Sequence, residues 1–251
     1  MARVSTARRV RAEFGAEWRS FVRRRTALFF TFLFPVILIV IFGALVRTDP
    51  GDGGLFAEPT GYYVAGYLAV VVLFTPLSRV SSTVARNREG SRFEKLATTP
   101  LSRVEWLAAH TLVNVVLVGI ACALVLGLAF VLTDATFAFH PAFLAFFVLG
   151  VVVFCGLGAL LGRLSDSRDG AIAAANAIGL PMLFLAETFV PRELLPGWMG
   201  PIIDVLPLTY FSRGVRAATY SGEPWLADLA ILAILAVVFF LAGAYAIPRT
   251  D

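Results

Sequence analysis

Charge is scarce in this chain of 251 residues: Asp, Glu, Lys and Arg together make up 15%, against 59% hydrophobic side chains. Soluble globular proteins carry about 25% charged residues, so a water-soluble globule is excluded. Cysteine and histidine are scarcer still, at two each. Cys122 and Cys155 both fall inside long apolar runs, which excludes a disulfide framework or a paired-cysteine metal site and leaves them a packing role. No glycine-rich phosphate loop of the Walker type, no Gly-x-Ser-x-Gly elbow and no Ser/His/Asp grouping occurs. His110 and His140 stand alone, and a structural or interfacial role is expected for each.

What the chain has instead is length without charge. Six apolar runs occupy residues 27–46, 61–78, 106–132, 141–162, 171–190 and 225–247, and only Glu187 and Asp228 intrude, each close to an end. A membrane-crossing helix needs about 20 apolar residues, so the expected fold class is all-α and integral to a membrane, with six transmembrane helices. The connections between the runs are too short for a separate soluble domain. A basic N-terminal stretch before an apolar run also occurs in secretory leaders, but the 20 residues from Ala27 to Val46 exceed the usual leader core of about 7–15 residues and lack a small-x-small cleavage signal. A retained first span is expected.

Orientation follows from the basic residues. Of the 21 Lys and Arg, 17 fall on one side of a six-span arrangement and 4 on the other, with eight arginines before the first run. The positive-inside rule then puts both termini in the cytoplasm of a cell membrane, with a prokaryotic setting expected. Within residues 1–26, Val10, Phe14, Trp18, Phe21 and Val22 recur at helical spacing with arginines between them, which predicts an interfacial amphipathic helix. The remaining 27–251 form the spanning domain. Its cytoplasmic loop 79–105 has a helical pattern over Glu89 to Ala97, a stop at Thr99-Pro100, and a capping box Ser102-Arg103-Val104-Glu105 that opens the next span. Its outer segment 191–224 is too apolar for an exposed loop and is cut by Pro191, Pro196, Pro201 and Pro207 into pieces too short to cross, which predicts short re-entrant helices.

No run carries an acidic or basic residue at its centre, and ion-coupled transport ordinarily needs one there. Asn114, Asn176 and the kink-forming Pro181 are the candidate pathway residues; the alternative for the two asparagines is a hydrogen bond between helices. No catalytic, metal-binding or cofactor-binding residues are expected, and no nucleic-acid partner, because the basic residues flank spans instead of forming a folded basic surface.

The stretch from Arg86 to Glu105, RNREGSRFEKLATTPLSRVE, resembles the cytoplasmic loop of the type-2 ABC transporter permeases. Phe34-Pro35 and Phe42-Gly43 are similar to that family's first helix, and Leu195-Pro196-Gly197-Trp198-Met199 with Leu206-Pro207-Leu208-Thr209-Tyr210 to its outer segment. The resemblance implies a membrane subunit of an ATP-driven exporter of the drug-efflux type, moving a hydrophobic or amphipathic substrate by alternating access. It implies a second permease chain, in a homo- or heterodimer, and separate ABC ATPase subunits that bind the ATP. The coupling interface to the ATPase would comprise Arg88, Glu89, Gly90, Arg92, Phe93, Glu94 and Leu96, with Phe93 and Leu96 filling a groove on the partner. A solvated face for these charges, a secondary transporter, and a membrane scaffold or embedded enzyme are the readings left open.

Overall fold

The computed structural model describes residues 5–23, 59–132 and 138–248, with isolated positions between 29 and 41. The described chain is helical throughout, with no strand. Its helices are α1 (Thr6–Val22), α2 (Thr60–Glu89), α3 (Arg92–Ala97), α4 (Arg103–Leu132), α5 (Ala142–Leu164), α6 (Arg168–Leu185), α7 (Gly200–Ile203), α8 (Pro207–Arg216) and α9 (Leu226–Ala246).

Four of these, α2, α4, α5 and α9, are long and apolar enough to cross a membrane. The expected first span, 27–46, with the Phe34-Pro35 and Phe42-Gly43 pairs, falls almost wholly outside the described residues, as does most of the connection after it. The expected fifth span is helical only as far as Leu185; α6 has 18 residues and opens on Arg168 and Asp169, and it is not among the four. The second span also differs from expectation. Its helix does not end near Ser78 but runs on to Glu89, because Val80, Val84 and Ala85 continue its buried face.

The core is built around α2 and α5. α2 packs against α4, α5, α6 and α8, while α5 also carries α9 along its other side. Small residues on α5 let the backbones close up: a Cβ at Gly158 would lie 2.8 Å from the Leu77 carbonyl of α2, and one at Gly162 would lie 2.8 Å from the Val84 Cβ and still nearer the Ser81 carbonyl. Gly156 meets the Phe239 carbonyl of α9 in the same way, across from Gly243. Helices in lipid associate through such close packing and not through exclusion of water, since the surrounding tails are as apolar as the helices.

Prolines divide the segment 191–224 into short pieces. Single turns at Arg192–Leu194 and Gly197–Met199 lead into the short α7 and then α8, and Pro201 and Pro207 occupy the first turns of the last two, where a missing amide hydrogen costs nothing.

Candidate functional site at the turn between α2 and α4

The segment between α2 and α4 is a short helix held between two breaks. α2 ends at Gly90, and Ser91 adopts the left-handed region with φ 48°, which reverses the chain into α3. α3 closes when Thr98 and Thr99 turn their hydroxyls back to the carbonyls of Lys95 and Leu96, at 2.8 and 2.7 Å, and Pro100 prevents continuation. α4 then opens through a reciprocal capping box: the Glu105 amide donates to Ser102 Oγ at 3.2 Å, and the Ser102 amide donates to Glu105 Oε2 at 2.9 Å.

Glu105 has a second partner that the sequence does not reveal. Arg9 of α1 donates Nε to Oε2 at 3.1 Å and Nη2 to Oε1, and this bond raises the Arg9 pKa above its ordinary value. A parallel tie joins Arg79 of α2 to Glu17 of α1 at 3.1 Å, with the Arg79 guanidinium stacked 4.3 Å above the Phe21 ring. Phe21 itself packs on Val113 and Leu117 of α4, with Phe14 and Trp18 beside it. The amphipathic α1 therefore turns its apolar stripe toward α4, where lipid was the expected neighbour, and leaves Arg8, Arg11, Arg19 and Arg23 exposed.

Phe93 is the main correction to the sequence reading. It is buried, with its ring edge-on to Trp106 of α4 at 5.5 Å, so it fills a groove in its own chain and not one on a partner. Trp106 in turn lies against His110, with ring centroids 3.8 Å apart, and His110 Nε2 is 3.5 Å from Glu13 of α1. Arg88 and Glu89 are also engaged internally. Arg88 Nη1 donates to the carbonyls of Arg163 and Ser165, at 2.7 and 3.0 Å, and Glu89 Oε1 accepts the Arg168 amide at 3.0 Å, which fastens the end of α2 to the α5–α6 connection. Gly90 makes the turn. Leu96 is half-buried, and Arg92, Glu94 and Lys95 stand exposed as the outward face of α3. A cleft of about 340 Å³ lies beside this face, lined by Phe93, Leu96, Leu101, Arg103, Trp106 and Ile247. Arg103 closes its far end by donating to the Tyr245 carbonyl of α9 at 3.0 Å.

The candidate pathway residues are not brought together. Asn114 is buried in α4 and donates to the His110 carbonyl at 2.9 Å, whereas Asn176 and Pro181 lie on the exposed face of α6, on the other side of α2.

A second polar constellation sits at the opposite end of the bundle. Glu187, just past α6, is buried at 6% exposure and adopts φ 52°. Its carboxylate accepts from Arg213 Nη2 at 2.8 Å and Arg192 Nη1 at 3.3 Å, and its carbonyl accepts from Arg216 Nη2 at 2.8 Å. Arg192 forks onto both oxygens of Asp204 at 2.7 and 3.0 Å, a bond that holds the Asp204 pKa below the ordinary carboxylate value. Arg216 stacks 3.6 Å over Tyr62 in the first turn of α2, and Arg213 Nη1 comes within 3.9 Å of Asp228 in α9. Glu187 had looked like a lone charge near the end of an apolar run. Its signal was the group of three arginines at 192, 213 and 216 in an otherwise apolar segment.

Residues 8–220 match the family described as ABC-2 type transporter. Among curated proteins, the chain is 27% identical over 191 residues to the daunorubicin resistance ABC transporter permease protein DrrB1 of Streptomyces coeruleorubidus, covering 73% of this chain and 65% of that one. It is 26% identical to the putative transport permease ycf38 of Porphyra purpurea, over 90% of this chain and 83% of that one. It is 21% identical to the probable doxorubicin resistance ABC transporter permease protein DrrC of Mycobacterium tuberculosis, over 81% and 72%.

Proposed function

Because the chain belongs to the ABC-2 type transporter family, we propose that it is the membrane-spanning permease subunit of an ATP-driven exporter, with six spans and both termini in the cytoplasm of a prokaryotic cell membrane. It pairs with a second permease chain and with separate ABC ATPase subunits, which bind the ATP; the permease itself needs no cofactor. The cargo is hydrophobic or amphipathic and leaves by alternating access, a reading supported by relatives named for daunorubicin and doxorubicin resistance. The outer helices α7 and α8 re-enter the outer leaflet.

The observation that carries this reading is the build of the cytoplasmic turn. α3 packs on α4 through Phe93 and Trp106, α4 is tied to α1 through Glu105 and Arg9, and the end of α2 is tied to the α5–α6 connection through Arg88 and Glu89, while α3 offers Arg92, Glu94 and Lys95 outward. A push on that exposed face reaches four helices without first having to order a loop. The charges of α3 make the contact with the ATPase, and Phe93 transmits it.

The test is affinity purification from native membranes with the exposed face altered by Glu94→Arg and Lys95→Glu together. A Walker-motif ATPase that accompanies the parent chain and is lost from the variant supports the assignment. If no ATPase accompanies either chain, and transport in vesicles survives a hydrolysis-deficient ATPase but collapses with an uncoupler, the protein is a secondary transporter.

A further inference from the structure

The outer cluster joins parts that have no other reason to be held by charge. Glu187 belongs to the end of α6, Arg192 and Asp204 to the segment around α7, Arg213 and Arg216 to α8, Asp228 to α9 and Tyr62 to α2. Three arginines face three carboxylates, so the closed arrangement is neutral. It is graded from wet to dry: the Arg192 and Asp204 side chains are 41% and 49% exposed, and that of Glu187 only 8%. Directly beneath lie buried hydroxyls, beside the apolar contact of Phe189 with Tyr67 of α2. Thr188 and Ser212 are fully buried with their oxygens 3.3 Å apart, and Thr209 donates to the Ile203 carbonyl at 2.8 Å. A seam made of hydroxyls and ion pairs can part and be rehydrated, whereas an apolar contact of the same size would expose hydrocarbon to water.

The backbone at this point is held under tension. Glu187 occupies the left-handed region that a side chain disfavours, and the residues after it press on α2 so closely that a Cβ on Gly66 would lie 2.6 Å from the Thr188 carbonyl. The Arg216 bonds to the carbonyls of Glu187 and Thr188, at 2.8 and 3.4 Å, keep that strained strip in place.

We propose that this cluster is the latch of the outer exit: Arg192, Arg213 and Arg216 hold the Glu187–Thr188 strip against α2 and α8, and the exit opens when the Arg192–Asp204 pair and then the Arg213–Glu187 pair separate. The inference rests on the exporter reading, since only a chain that passes cargo outward needs such an exit. It assigns Arg213 and Glu187 as positioning residues for gating, remote from the ATPase contact.

The experiment reads opening directly and needs neither cargo nor ATPase. Ser212→Cys, in a background of Cys122→Ala and Cys155→Ala, is placed in lipid nanodiscs, where both faces are open to a water-soluble methanethiosulfonate reagent. Slow modification is expected with the latch intact. Asp204→Asn, at an exposed position that leaves the fold alone, should raise the rate about two- to fivefold, the range of an exposed ion pair. Arg213→Gln, which takes the nearer arginine from the buried Glu187 carboxylate and leaves it only Arg192 at 3.3 Å, should raise it by more than about tenfold. Glu17→Gln, which breaks an ion pair at the cytoplasmic end, should leave the rate unchanged. Equal rates in the parent, Asp204→Asn and Arg213→Gln proteins would overturn the latch, and so would an equal acceleration by Glu17→Gln, which would mark general loosening. Because orientation and ATPase do not enter the assay, failure here leaves the exporter reading standing, and failure to capture an ATPase leaves the latch measurement standing.

Discussion

A pair of glycine-to-alanine substitutions separates close helix packing from helix propensity, and the two should move stability in opposite directions. A methyl on Gly162 of α5 would lie 2.8 Å from the Val84 Cβ and 3.0 Å from the Ser81 Cα, and closer again to the Ser81 carbonyl, all on α2. Carbon atoms prefer about 3.5–4.0 Å, so the two backbones must move apart by roughly 0.5–1 Å along a contact that runs through Gly158 as well. Overpacking of this kind costs about 1–3 kcal/mol, offset by the ~0.5–1 kcal/mol that alanine gains over glycine within a helix. Gly127 of α4 has nothing within 4 Å of its hypothetical Cβ, so there only the propensity gain remains. Gly162→Ala should therefore lower the midpoint of thermal unfolding in detergent micelles, followed by tryptophan fluorescence, and Gly127→Ala should hold or raise it. Gly158→Ala should behave like Gly162→Ala. If Gly162→Ala proves as harmless as Gly127→Ala, the close α2–α5 approach is not what holds the bundle together.

Phe93→Ala empties the space beside Trp106, and truncations of this size cost about 3–5 kcal/mol in a packed core; proteolysis should then cut the chain near α3 while the spans stay intact. Glu105→Ala should remove the returning half of the capping box while Ser102 still caps α4, and also release Arg9, seen as faster amide hydrogen exchange in α1. Glu105→Gln keeps a side chain that can complete the capping box, so it should spare the start of α4 and still speed exchange in α1. The Asp204 pKa is depressed in the folded protein, so its contribution to the outer cluster is complete above the ordinary carboxylate pKa and is lost as the pH falls through the depressed value. Modification of Ser212→Cys, taken relative to an exposed reference thiol at each pH because only the thiolate reacts, should be flat between neutral pH and about pH 5 and should rise only in stronger acid; a relative rate already rising near pH 6.5 would rule out the Asp204 pair as the trigger.

Much of this architecture was legible because membrane helices advertise themselves by composition, and because local signals need only neighbouring residues. The capping box at Ser102–Glu105, the proline stop after α3 and the amphipathic pattern of α1 all depend on spacings of a few positions. The function of Phe93 was misread for the opposite reason. A short helix with an apolar face carries no mark of whether that face meets its own chain or another, and the deciding neighbour, Trp106, is placed only once the turn at Ser91 and the break at Pro100 fold α3 back on α4. The end of α2 was set too early because Arg79, Arg86 and Arg88 looked like the start of a loop, when Val80, Val84 and Ala85 still had a helix to bury against. Arg9–Glu105 and Arg213–Glu187 join residues 96 and 26 positions apart, and no periodicity could have paired them.

α2 runs from the stacked Tyr62 to the stapled Glu89, and it bears closely on α5 where Ser81 faces Gly162. At 1.5 Å per residue, the arm beyond that bearing is about 28 Å on the Tyr62 side and about 12 Å on the Glu89 side. Pro76 sits within the longer arm and gives the helix no amide hydrogen there, so the two arms are not one rigid rod. The far tip is where Arg216 rests on Tyr62, so Pro76 divides the stretch of α2 that meets the arginine cluster from the stretch that carries Glu89.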